Sequence, residues 1–131
     1  VTICKPGIYK FISNIVYTPQ NEFEIAIVIK SSNVILDMQN FTLKQKNKIK
    51  NTYGIAVARD VENVTITGIK NIAVIKNFSL AGIRIYGRTQ YITIKNVIAK
   101  QTVPVQLTND EIPTNIDDIF KFKFKFGNCY W

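Results

Sequence analysis

Apolar and polar residues alternate along this chain in short bursts that return at a nearly constant interval. Three apolar doublets, Ile25/Ile27, Ile55/Val57 and Ile83/Ile85, lie 30 and 28 residues apart. A second series, Val34/Leu36, Val64/Ile66 and Ile92/Ile94, keeps the same offsets, each pair beginning seven residues beyond the matching Ile27, Val57 or Ile85. Strict alternation sends one side chain in and the next out, as in a strand with one buried face. The β-branched Ile and Val that fill these positions suit a pleated surface. A third series, Phe41/Leu43, Ile72/Val74 and Val97/Ala99, follows with looser spacing and is entered through Asn40, Asn71 and Asn96. Asn at these points predicts sharp corners, because it tolerates the left-handed backbone region better than most residues do.

Three short strands per 28 to 30 residues, repeated in step, predict an all-β solenoid rather than a sandwich. A sandwich needs tight hairpins, and the Asn-Gly and Asp-Gly dipeptides that favour them are absent. No single coil can bury its own apolar row. Coils stacked at about 4.8 Å bury one another's rows as parallel sheets around a shared core.

The segments KPGIYKFISNIVY (Lys5 to Tyr17), SSNVILDMQNFTL (Ser31 to Leu43), ENVTITGIKNIAVIKNF (Glu62 to Phe78) and AGIRIYGRTQYITIKNV (Ala81 to Val97) resemble the right-handed parallel β-helix of the pectate-lyase-like superfamily, over about residues 5 to 100. The resemblance implies a β-helix of about three to four coils, with residues 5–17 as an N-terminal capping strand and 24–107 as the coils. It leaves function wide open, since the superfamily holds polysaccharide lyases, glycoside hydrolases, epimerases, adhesins, phage tailspikes and non-catalytic virion proteins. Its enzymes use longer helices whose groove spans several coils, so for this short stack it implies a module of a larger assembly.

The pattern changes near the end of the chain. Val103 to Leu107 reads as one more short strand and residues 108–115 as a loop. Phe120, Phe122, Phe124 and Phe126 then alternate with lysines, which predicts a closing strand within 116–131, aromatic on one face and cationic on the other. Three or four coils rise roughly 15 to 20 Å, so the termini are expected at opposite ends. Cys4 and Cys129 can form a disulfide, remain free thiols or link to another chain. Joining them needs Cα atoms within about 7 Å, hence a tail folded back along the stack.

Composition narrows the chemistry. The 131 residues fit one domain, expected to belong to a longer chain or assembly, and the 47% hydrophobic content supports a packed core. The longest apolar stretch, Ile25 to Ile29, is too short to span a bilayer. Without any histidine, a Ser-His-Asp or Cys-His centre is excluded, and two distant cysteines do not make a zinc site. No metal or cofactor is expected. The net charge of +8 comes mainly from lysine, whose abundance beside Ile and Asn is what AT-rich coding produces. With no recognised nucleic-acid-binding motif, that charge does not point to nucleic acid. The lysines from Lys44 to Lys50 read as a solvated loop between coils. Asn40, Asn63 and Asn77 open N-glycan acceptor triplets.

Read column by column, the outward positions show no pair of carboxylates of the kind glycoside hydrolysis needs. Asp37, Thr67 and Lys95 share one column and Lys30, Asp60 and Arg88 another, the latter an ion-pair ladder. Asp60, Arg84 and Arg88 are the only weak candidates for catalysis, as a lyase or hydrolase acting on acidic polysaccharide. Ala26, Val28, Ala56, Ala58 and Tyr86 put small or apolar residues on the outside of the first strand column. That predicts a face covered by a second copy or by the chain's own tail, with Phe122 and Phe124 as further interface residues. The expectation is therefore a structural or recognition β-helix on a virion surface or outside the cell. Its expected partners are further copies or other surface proteins, with a glycan as an additional candidate.

Overall fold

The computed structural model describes residues 1–47 and 49–109, and the backbone of 129–130. Strands recur in threes. The first coil holds β1 (Thr2–Ile3), β2 (Gly7–Lys10) and β3 (Ile15–Tyr17), and the second holds β4 (Ile25–Ile29), β5 (Val34–Asp37) and β6 (Thr42–Gln45). The third holds β7 (Tyr53–Val57), β8 (Glu62–Thr67) and β9 (Val74–Lys76), and the fourth β10 (Ala81–Ile85), β11 (Gln90–Ile94) and β12 (Ile98–Lys100). After them come β13 (Val105–Leu107) and β14 (Cys129–Tyr130).

Equivalent strands pair in parallel to build three sheets: β13-β10-β7-β4-β1-β14, β11-β8-β5-β2 and β12-β9-β6-β3. The chain is thus an all-β parallel solenoid of about four turns. Among the described residues there is no helix, and so none long and apolar enough to cross a membrane.

In-register pairing stacks like on like. Val34, Val64 and Ile92 form one row as expected, and Ile27, Ile55 and Ile83 form another, in which Ile27 stands beside Ile55 and not, as the spacing predicts, beside Val57. Ile29, Val34, Ile55, Val57, Val64 and Ile66 are completely or almost completely buried, which removes from water the apolar rows no single coil could cover. Left-handed residues bend the corners. Asn33 and Asn63, at φ 60° and 56°, stack on successive coils, and the Asn63 side-chain amide donates to Asn33 Oδ1 at 2.7 Å. Asn71 and Asn96 are left-handed as expected, but in the second coil Gln39, not Asn40, takes that conformation at φ 52°.

Three further expectations change. In the third sheet Leu43 pairs with Ile75 and Ile75 with Ala99, so the core row of β9 lies one residue later than the alternation of Ile72 and Val74 predicts. Ala73 and Ile75 are buried, whereas Ile72 is 50% exposed. The turn between second and third sheets varies in length, occupying 38–41, 68–73 and 95–97 in successive coils, and a one-residue slip moves every side chain to the other face.

Residues 5–17 hold two strands, β2 and β3, which pair with β5 and β6 and complete a coil with β1; they are not one capping strand. Finally, the termini meet. β14 pairs with β1 and sets Cys129 beside Thr2, giving the open edge of β1 its backbone partners. Cys4 is disulfide-bonded, and the sequence holds one other cysteine, Cys129. Of the predicted closing segment 116–131 only β14 is described; Phe120, Phe122, Phe124 and Phe126 lie outside the described residues.

Candidate functional site

The three residues nominated for chemistry do not assemble into one site. Asp60 and Arg88 follow β7 and β10 at the same corner of neighbouring coils, both with left-handed backbone, and so stand one above the other. Arg88 Nε donates to Asp60 Oδ1 at 2.6 Å and Nη2 donates to Oδ2 at 2.8 Å, a two-pronged pair on the surface. The side chains are 64% and 56% exposed. Hydrogen bonding from the Arg88 guanidinium holds the Asp60 carboxyl below the usual carboxylate range. A carboxylate in that state is a poor proton donor at neutral pH, and both its oxygens already face a cation.

Arg84 goes elsewhere. On β10 it stands in register with Ala56 on one side and Gln106 on the other. Its guanidinium carbon sits 4.8 Å from the centre of the Tyr53 ring and 5.0 Å from that of Tyr86. Nη1 donates to the Tyr53 hydroxyl and, at 2.6 Å, to Gln106 Oε1. Two aromatic faces and two acceptors fix this cation as part of the packing of the first sheet. Near Arg88 a shallow cavity of about 290 Å³ is lined by Ile85, Tyr86, Thr89 and Leu107. Among the described residues no cluster of three His, Cys, Asp or Glu side chains could hold a metal ion.

Ala26, Val28, Ala56, Ala58 and Tyr86 are all buried within the single chain, at 8% exposure or less. Every position of β4 and β7 is buried. The first sheet therefore leaves little surface there for a second chain to cover. Phe122 and Phe124 lie outside the described residues.

Exposed apolar side chains occur at the β13 edge of the first sheet, Val105 and Leu107, at Ile8 and Ile35, neighbours in the second sheet, and at Val16 in the third. The outer face of the third sheet forms a groove of about 410 Å³, lined by Asn14, Val16, Thr42, Lys44, Val74, Lys76 and Lys100. Here Lys44 stands on β6 itself, and the expected lysine loop starts only after Gln45.

The register runs Val16, Lys44, Lys76, Lys100, so three lysines from three coils stand side by side. Sequence reasoning missed this row because its members are 32 and 24 residues apart, outside the 28–30 period of the other two sheets. The signal was there in the third strands themselves: TLKQ, VIK and IAK each carry a lysine one residue after the inward row of Leu43, Ile75 and Ala99.

Fold and surface together define a short parallel β-solenoid with one sheet covered on both sides in its central strands β4 and β7 and two that present rows of side chains. Compared with known proteins, the chain matches no family model, no curated protein and no solved structure.

Proposed function

We propose that this chain is a structural or recognition module of the pectate-lyase-like, right-handed β-helix type, working on a virion or other extracellular surface as one of several associated copies. The observation that carries the reading is the division of labour among the sheets. The first sheet is packed on both faces along β4 and β7, whereas the second and third hold outward side chains in straight rows, rung by rung. A rigid rack of this kind suits contact with an extended ligand or a flat neighbouring surface. Contacts to other copies or surface proteins would use the second and third sheets or the coil ends. The Asp60–Arg88 pair and the Tyr53–Arg84–Tyr86 stack both read as coil-to-coil fastenings.

Incubation with a panel of neutral, carboxylated and sulfated glycans, monitored for both retention and product release, tests the reading. Retention of glycans recovered at their original length is the expected result. New chain ends that appear with the unaltered protein and vanish in Asp60→Ala or Arg88→Ala would replace it with a lyase or hydrolase acting on acidic polysaccharide. A chain that neither binds nor cleaves, and that runs at monomer mass in light scattering, would refute the module altogether.

A further inference from the structure

We propose that Lys44, Lys76 and Lys100 form a binding strip for a linear acidic glycan, a chain bearing a carboxylate or sulfate on successive sugars, laid along the solenoid axis. The inference rests on the recognition reading above and names the face and ligand class.

Like charges directly opposite one another on adjacent strands are unfavourable, and other charged columns of this molecule avoid them. Lys10 pairs with Asp37, and Arg88 with Asp60. In the third sheet, by contrast, three lysines follow one another in register. Neither outward row of that sheet, Val16-Lys44-Lys76-Lys100 or Asn14-Thr42-Val74-Ile98, carries an acidic residue. Lys44 and Lys100 are exposed and Lys76 is half-exposed. Among the described residues nothing pairs with these three ammonium groups.

An anionic chain supplies the missing countercharge. Rungs repeat at about 4.8 Å, so the strip spans about 10 Å from Lys44 to Lys100, room for a few sugars with an anionic group facing each rung. Beside the lysines, Thr42, Val74 and Ile98 form a half-buried row in register, an apolar flank for the C–H faces of sugar rings. The groove has no aromatic side chain, whereas sites for single-stranded nucleic acid combine positive charge with aromatic platforms for the bases. The flank and the absence of stacking residues favour glycan.

The test titrates the full chain with heparin as the sulfated probe, polygalacturonate as the carboxylated one, dextran as the neutral one and poly(dT) as the nucleic acid. Heparin or polygalacturonate should bind, with affinity falling as salt rises and a log–log slope of about 2 to 3 from counterion release. Lys76→Gln should weaken binding about fivefold and lower the slope by about 1. The triple variant K44Q/K76Q/K100Q should abolish it, while Lys95→Gln, in the turn that follows β11, leaves it unchanged. Thermal midpoints of the row variants should equal or exceed the parent's, because like charges have been removed; a fall would mean the lysines have a structural role.

Equal losses from Lys95→Gln would overturn the strip in favour of undirected net charge, and tighter binding of poly(dT) than of either acidic glycan would overturn the ligand class. Glycan binding untouched by the triple variant would overturn the strip while leaving the recognition reading in place. No binding of any polyanion would overturn the strip, and retention of dextran would then show the recognition reading standing without it.

Discussion

Replacing Gln45 with leucine should destabilise the fold by about 3 kcal/mol, since this side chain fastens the long turn between the second and third coils. Gln45 closes β6 and is 1% exposed. Its Nε2 donates to the carbonyls of Asn47 at 2.6 Å and Ile49 at 3.0 Å, and its Oε1 accepts from the Thr52 hydroxyl. Thr52 is itself fully buried and carries the network to the next coil: its amide donates to Ser79 Oγ at 2.9 Å, and the Ser79 amide donates to Thr52 Oγ1 at 3.2 Å.

Leucine fills nearly the same volume but removes three hydrogen bonds, each worth about 1 kcal/mol net. With an unfolding entropy of about 2.1 cal/mol/K per residue, that loss lowers the thermal midpoint by roughly 10 °C for a chain of this size. Thermal melting followed by circular dichroism measures it. Gln45→Glu sharpens the test: it keeps an acceptor for Thr52 but aims a charge at two carbonyl oxygens, so it should fall further at neutral pH and recover in acid. Midpoints within about 2 °C of the parent for both variants would refute the idea that Gln45 holds the turn.

Two further outcomes are expected. Gly54→Ala should lower stability by about 1 to 3 kcal/mol, because a Cβ there would lie 2.7 Å from the Gly82 carbonyl oxygen and 3.1 Å from both Ile75 Cγ2 and the Phe78 ring; unchanged urea midpoints would show that the coils can part to admit it. The Asp60 carboxyl, held low by Arg88, should titrate by NMR below the ordinary value of about 3.9 and return towards it in Arg88→Gln. Since the folded-state value is depressed, the pair's contribution is present above the unfolded value and disappears as pH falls through the folded one. An Asp60 midpoint unmoved by Arg88→Gln would show that the ion pair does not form in solution.

The legible part of the fold was the part with a constant period. In the second sheet Val34, Val64 and Ile92 align by counting alone, and so do Ile55 and Ile83 in the first; Ile27 falls beside Ile55 rather than the expected Val57, a slip of two residues that keeps the same side chains facing inward. The Asp60–Arg88 contact was legible for the same reason. Arg84 was not, because its position depends on Tyr53, whose ring reaches it from another strand. Nor was the cover on Ala56 and Val28, since alternation marks a residue as outward without saying whether water lies beyond it.

By itself, then, the sequence determined that this chain folds into stacked parallel coils: β-branched alternation at a repeating interval, with asparagine corners, has few other ways to bury its apolar rows. Tertiary structure decided which side chains became neighbours wherever the spacing was uneven. The turn into the third sheet changes length from the second coil to the third and again to the fourth, and it is the hydrogen-bonded register across coils that sets Lys44 beside Lys76 and Lys76 beside Lys100. The pairing of β14 with β1 is likewise a choice made by an open sheet edge at the far end of the stack. Local pattern encodes the strand; the number of residues in each turn, added up through space, encodes the surface.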